Sequence, residues 1–147
     1  MNLRNKNGIT IIEILIVVSI MAVIGASTAP LYSNFLVRTY FKDKTNELVS
    51  CLRTAQLNTI SGKENSQWGV HISPSKIIMF KGSAYVDPGT AFDYQYDIPK
   101  SITISQKELV FNQLTGNASD ATTITITSNA GESKTISINE VGTVDVQ

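Results

Sequence analysis

Glu13 is the only charged residue in an otherwise apolar run of 21 residues, from Ile9 to Ala29. A run of that length can cross the hydrocarbon core of a bilayer as a helix. An ionisable side chain well inside a bilayer costs about 2.5–3.5 kcal/mol on insertion scales. Glu13 is therefore expected to have a partner of opposite charge.

A cut between Gly8 and Ile9 would create such a partner. Ile9 would then carry a free α-ammonium group four residues before Glu13, which places a cation and an anion in the same apolar region. Pairing between neighbouring subunits would neutralise both charges. The pattern predicts a function carried by assembly.

The residues before the apolar run predict its orientation. Arg4 and Lys6 precede the run and no acidic residue does. The positive-inside rule then places the first eight residues in the cytoplasm and the body of the protein outside it. We expect a single-pass protein of the cytoplasmic membrane with an extracytoplasmic head.

Two other interpretations of the N-terminus are open at this point. A secretory signal peptide also has a basic start and an apolar stretch, and the small residues 26–29 offer a cleavage site. A plain single-span anchor explains the length of the run, but it gives no reason for a carboxylate in the first turn of the span.

The segment Lys6-Asn7-Gly8, followed by ITIIEILIVV, resembles the prepilin class III signal, with Pro30 where pilins commonly have a proline. The resemblance implies that a prepilin peptidase cleaves after Gly8 and methylates the new amine of Ile9, although the family usually has phenylalanine there. It also implies that Glu13 directs subunit assembly. The implied partners are the peptidase, other pilin or pseudopilin subunits and an inner-membrane assembly platform.

The chain after the apolar run continues with a helical pattern. Gly25 and Pro30 predict a kink, because glycine is a poor helix former and proline lacks an amide hydrogen. Residues 30–62 then form an amphipathic helix that ends near Gly62. Its apolar stripe has helical spacing and consists of Leu48, Cys51, Leu52 and Ala55.

Residues 63–147 change to the alternating pattern of strands and form a predicted β-rich head. Gly82–Pro99, which contains Pro88-Gly89, is interpreted as an irregular connection. The predicted fold is α+β, a pilin-like lollipop in which residues 1–8 are a cleaved leader and residues 9–29 span the membrane. The predicted strands are Trp68–Ile72, Lys76–Lys81, Ile102–Ser105, Leu109–Phe111, Thr122–Thr127, Lys134–Asn139 and Thr143–Val146.

The head also resembles the GspH/FimT pseudopilin domain. The resemblance rests on four segments, namely Gln67–Ile72, Ile77–Gly82, Leu109–Phe111 with Gly116, and Lys134–Asn139 to Gly142. It implies a minor pseudopilin of a type II secretion system or a minor pilin of a type IV pilus. The alternative is a membrane-anchored β domain that binds an envelope partner and never polymerises.

Little in the composition points to other chemistry. Twelve basic and twelve acidic residues give no net charge, and no arginine follows Arg53, so nucleic-acid binding is not expected. Cys51 is the single cysteine and His71 the single histidine. Asp93 and Asp97 alone are too few ligands to indicate calcium. We expect no enzyme activity, no metal and no cofactor.

Overall fold

The computed structural model describes residues 8–86 and 92–147. The chain divides between Leu36 and Val37 into two compact units. One long helix, α1, begins at Ile11 and ends at Ile60, and it contributes to both units. The strands belong to the second unit, which we call the head.

The part of α1 in the head is amphipathic. The stripe predicted from its spacing is buried, and Phe41 extends it by two turns towards the N-terminus. Leu57, which lies on another side of the helix, is exposed. The helix ends two residues before Gly62, whose left-handed backbone, with φ of 63°, terminates the helical hydrogen bonding.

Thr59 connects the end of α1 to the first strand. Its buried hydroxyl donates to the carbonyl oxygen of Ala55 at 2.9 Å and accepts the backbone N–H of Trp68 at 3.0 Å. A short 3-10 turn, Lys63–Asn65, lies between the end of α1 and the start of β1. Because Thr59 satisfies a strand amide that would otherwise be buried without a partner, it determines where the chain enters the sheet.

The described residues form two antiparallel sheets of four strands each. The first sheet has the order β3-β2-β1-β5, and the second has the order β4-β6-β7-β8. The strands are β1 (Trp68–Ile72), β2 (Lys76–Lys81), β3 (Tyr94–Asp97), β4 (Ile102–Ile104), β5 (Lys107–Val110), β6 (Thr122–Ser128), β7 (Ser133–Ile138) and β8 (Val144–Val146).

Seven of these strands lie where the alternating pattern predicted them, within two residues at either end. In β6, Ile124 and Ile126 face the core while the intervening threonines face solvent. A tight hairpin turn joins β6 to β7. Ser128 and Glu132 close it with a backbone hydrogen bond of 2.9 Å, and Gly131 supplies the positive φ of 85° that it requires.

The interpretation of Gly82–Pro99 as an irregular connection is wrong in its last part. Tyr94–Asp97 forms β3, which pairs with β2 so that Tyr96 lies opposite Ile77. Two tyrosines separated by one residue favour a strand, since aromatic side chains pack well on a pleated surface. The nearby Pro88-Gly89 pair obscured this signal, and the open edge of β2 decided the pairing.

One apolar core joins the head part of α1 to both sheets. The helix stripe packs with inward-facing strand residues, including Trp68 and Ile77, and with Phe111 just after β5, which are all completely buried. The predicted α+β class, a long N-terminal helix packed on antiparallel sheet, is therefore confirmed. Each sheet buries one face against the same helix, as a layered domain requires.

Cys51 is a buried component of this core. Burial, assisted by the negative charge of Glu47, raises the pKa of its thiol to about 12. The thiol is therefore protonated at neutral pH, and its contribution is packing. Burial likewise raises the pKa of the Tyr96 phenol above its usual value, with smaller contributions from Cys51, Glu47 and Tyr94.

The orientation of α1 in the head can be tested with two leucines of the same helix. Leu52→Ala should lower the free energy of unfolding by about 2–5 kcal/mol, because Leu52 is completely buried. Leu57 is 64 % exposed, and Leu57→Ala should change that free energy by less than about 0.5 kcal/mol. The measurement is urea unfolding of the full chain in detergent, followed by fluorescence of the single tryptophan, Trp68. Equal losses in both variants would contradict this helix orientation.

Candidate processing and assembly site

The predicted cleavage bond lies just before the first helical residue. Gly8, Ile9 and Thr10 are non-helical and exposed, and α1 begins at Ile11. A peptidase needs an accessible backbone that is free of helical hydrogen bonds, and the Gly8–Ile9 bond meets both conditions. The basic residues Arg4 and Lys6 lie outside the described residues.

Thr10 caps the N-terminus of α1. Its hydroxyl oxygen accepts the backbone N–H of Glu13 at 3.4 Å, and its carbonyl oxygen accepts the N–H of Ile14 at 3.3 Å. A threonine followed three residues later by glutamate is a capping-box sequence, which satisfies amides that lack helical partners. The sequence reasoning overlooked this role of Thr10, although the Thr10-Ile11-Ile12-Glu13 pattern could have shown it.

Glu13 occupies the third position of α1, in its first turn. The unpaired amides there give the helix N-terminus a partial positive charge, which favours a carboxylate by about 0.3–1 kcal/mol. Glu13 and the apolar side chains of Ile9, Ile14, Val17 and Val18 line one shallow depression on the helix surface. The structure thus brings Ile9 and Glu13, the two predicted assembly residues, to the same depression.

The beginning of α1 and the residues just before it are apolar and exposed. Every large apolar side chain from Ile9 to Ile24 is at least 47 % exposed. A helix that is apolar on all sides needs an environment other than water, in lipid or among other helices. The exposed side chains are Ile9, Ile11, Ile12, Ile14, Leu15, Ile16, Val17, Val18, Ile20, Met21, Val23 and Ile24.

Within residues 8–86 and 92–147, no helix combines the length and apolarity that a membrane span needs. The membrane-spanning role of residues 9–29 stays a prediction. The helix is continuous through Gly25 and Pro30, and a kink at these two residues also stays a prediction.

The other sequence candidates do not join this site. His71 lies on β1 in the head, with Nδ1 2.9 Å from Oε2 of Glu108. Asp97 is an exposed residue of β3, and Asp93 precedes that strand. Among the residues that the structure describes, no three acidic, histidine or cysteine side chains are close enough together to hold a metal ion.

Comparison with known families agrees with the geometry of the N-terminus. Residues 3–29 match the model of the prokaryotic N-terminal methylation motif. This motif is typical of type IV pilin-like prepilins, which a prepilin peptidase processes before they assemble with other pilins. The match includes most of the predicted leader, the predicted cleavage bond, Thr10, Glu13 and the apolar run. No curated protein and no solved structure gives a significant match to the chain.

The capping role of Thr10 can be separated from any role in processing. In the unprocessed chain, Thr10→Val should weaken the first turn of α1 by about 1 kcal/mol, because the hydroxyl that accepts the Glu13 amide is lost. The amide of Glu13 should then exchange with deuterium about fivefold faster in detergent micelles. Thr10→Ser retains an accepting oxygen and should behave as the unchanged protein. Equal exchange in both variants would show that the hydroxyl does not cap the helix.

Proposed function

We propose that this protein is a minor pilin or pseudopilin subunit, assembled into a type II secretion pseudopilus or a type IV pilus. Prepilin peptidase cleaves after Gly8 and methylates Ile9, and the mature helix joins the helical bundle of the fibre. The observation that carries the proposal is the exposed apolar start of α1, which bears Glu13 in its first turn directly after an accessible Gly8–Ile9 bond.

Before assembly, the apolar run 9–29 holds the subunit in the inner membrane. Arg4 and Lys6 keep the N-terminus in the cytoplasm, and the head lies outside it. The continuous exposure of large apolar side chains up to Ile24 supports this location, because such a surface is stable in lipid and costly in water.

The magnitudes favour an intermolecular partner for Glu13. The helix dipole favours the carboxylate by about 0.3–1 kcal/mol, whereas a charge well inside the bilayer costs about 2.5–3.5 kcal/mol. About 2 kcal/mol is thus left for another interaction to offset. The α-ammonium group of Ile9 on a neighbouring subunit supplies that interaction, and pairing with it directs extraction of the subunit into the fibre.

The head supports a GspH/FimT-like role within this class. Three of the four segments of that resemblance lie on neighbouring strands of the first sheet, since Gln67–Ile72 includes β1, Ile77–Gly82 includes most of β2 and Leu109–Phe111 overlaps β5. The fourth, Lys134–Asn139, overlaps β7 of the second sheet. The expected partners are other pilin or pseudopilin subunits and the inner-membrane assembly platform. The proposed role is structural, without catalysis, a cofactor or nucleic-acid binding.

Processing can be tested by the intact mass and N-terminal peptide of the protein from host membranes, with and without a prepilin peptidase. We expect loss of residues 1–8 only when the peptidase is present, with one added methyl group on Ile9. Gly8→Val, which places a branched side chain at the cut, should remain unprocessed. A chain uncut in the presence of the peptidase would favour the non-polymerising anchored β domain. A cut near Ala29 would indicate a secreted domain.

Assembly can be tested separately with Glu13→Ala. Membrane insertion should be unchanged, whereas incorporation into purified fibres should fall at least about tenfold, because a buried ammonium group without its partner costs about 3–5 kcal/mol. Glu140→Ala, at an exposed position of the head, is the matched control and should be incorporated normally. Normal incorporation of Glu13→Ala would refute the pairing mechanism.

A further inference from the structure

The first sheet carries a second apolar cluster on the face that points away from α1. Ile77 and Met79 of β2 belong to the main core, so the alternation of the strand directs Ile78 and Phe80 to the opposite face. Both are nevertheless buried, with exposures of 5 % and 2 %. The ring of Tyr85 packs edge-on against Phe80, with centroids 5.6 Å apart, and covers part of this face.

One carboxylate holds Tyr85 in this position. Oε1 of Glu108 accepts the backbone N–H of Tyr85 at 3.2 Å, and Oε2 lies 2.9 Å from Nδ1 of His71. An ionised carboxylate only accepts hydrogen bonds, so Nδ1 of His71 carries the proton. The His71 ring stacks on the Tyr85 ring, with centroids 4.5 Å apart and an angle of 20° between the planes. The two rings therefore form a fixed wall.

A half-open cavity of about 270 Å³ lies beside this wall. Ile78 and Tyr85 give it apolar surface, and Lys76 and Gln95 give it a polar end. Ser73 adds little to recognition, because its hydroxyl already donates to the backbone oxygen of Lys76 at 3.1 Å. The described residues that line it are His71, Ser73, Lys76, Ile78, Tyr85 and Gln95.

The polar end presents hydrogen-bond donors. Nζ of Lys76 donates to Oε1 of Gln95 at 2.9 Å, which fixes the orientation of the amide and leaves its NH₂ group to donate. The ammonium group has two further hydrogens. Asp97 is the β3 register partner of Lys76, yet among the described residues no ion pair joins them. Among the described residues, the hydrogen bond of the Lys76 ammonium group is thus made to a neutral amide and not to a carboxylate.

We propose that this cavity binds a carboxylate attached to a small apolar or aromatic group. One carboxylate oxygen accepts from Nζ of Lys76 and the other from the Gln95 amide, while the apolar group packs on Ile78 and the Tyr85 ring. Among the described residues of the lining, Lys76 is the only lysine or arginine, and Glu108 contacts both residues of the wall. Glu108 repels a doubly charged phosphate about twice as strongly as a singly charged carboxylate at the same distance, which favours the carboxylate.

The cavity is small for a ligand site and holds a group of about the size of one amino-acid residue. The carboxylate can belong to a free acid or to the C-terminal residue of a polypeptide, since both present the same chemistry. This inference does not depend on processing or fibre assembly, because the cavity lies entirely within the head.

The single histidine of the chain provides a direct probe. The C2–H resonance of His71 belongs to one residue only, and the ring lines the cavity. Titration of the full chain in detergent micelles with N-acetyl-phenylalanine should shift this resonance saturably. The methyl ester of the same compound lacks the carboxylate and should leave the resonance unchanged at equal concentration.

Two lysine variants form the matched pair. Lys76→Met should weaken binding at least about tenfold, because the charge-assisted hydrogen bond is lost. Lys100→Met, at an exposed position outside the cavity, should bind as the unchanged protein. Fluorescence of the buried Trp68 shows whether each variant retains the fold. A folded Lys76→Met chain with undiminished affinity would overturn the proposal, and so would a lack of any shift or equal binding of the ester.

A further titration separates the two sources of the carboxylate. A tetrapeptide that ends in phenylalanine should bind more tightly than N-acetyl-phenylalanine if the natural ligand is a polypeptide C-terminus, because the preceding residues add contacts outside the cavity. Equal affinities would indicate a free acid. Either result retains the carboxylate site, whereas failure of both compounds to shift the His71 resonance would remove it.

Discussion

The exposed apolar surface at the start of α1 is the constraint on which the proposed function of this protein depends. Large apolar side chains at the start of α1 are exposed on all sides of the helix. Burying one such side chain contributes about 1.5–3 kcal/mol of favourable free energy. The whole surface is therefore much more stable in lipid or in contact with similar helices than in water. A chain with this surface is stable only in an environment that other molecules supply. Storage in a membrane and assembly into a fibre both meet that requirement.

The first turn of α1 combines a local and an intermolecular role. Thr10 accepts the amide of Glu13, so that the helix begins at a defined residue directly after the Gly8–Ile9 bond. The same turn holds the Glu13 carboxylate beside apolar side chains, where the helix dipole compensates only a fraction of the cost of its charge. In the proposed fibre, the ammonium group of Ile9 on a neighbouring subunit offsets the rest of this cost. A single turn therefore carries the proposed processing site and a charge that the proposed assembly would neutralise.

The head has a core of its own, and its contacts explain how it can present surfaces to partners. The helix stripe and both sheets bury one common set of apolar residues, and Thr59 joins the end of the helix to β1. The inner face of the first sheet is thereby occupied. Among the described residues, Tyr85, which contacts His71 and Glu108, covers part of its outer face. A ligand bound beside Tyr85 would contact this outer face without displacing the packing against α1.

The sequence by itself determined the N-terminal signal, the helical stripe and most of the strands. These features follow from local periodicity and charge. Each can be recognised from a short stretch of sequence. Examples are the lone Glu13 in an apolar run, the spacing of Leu48 and Leu52, and the alternation of Ile124 and Ile126 with threonines. Cys51 belongs to the predicted stripe and is buried with it. The capping role of Thr10 was equally local and was overlooked.

Only the tertiary structure decided the division of the strands into two sheets, the pairing of β3 with β2 and the surroundings of His71. Strand order depends on contacts between residues far apart in the chain, and periodicity contains no information about them. Glu108 is separated from His71 by 37 residues, and Gln95 from Lys76 by 19. Their side chains meet because antiparallel pairing in a defined register places them on one face of the sheet. The cavity beside Tyr85 exists only through that pairing.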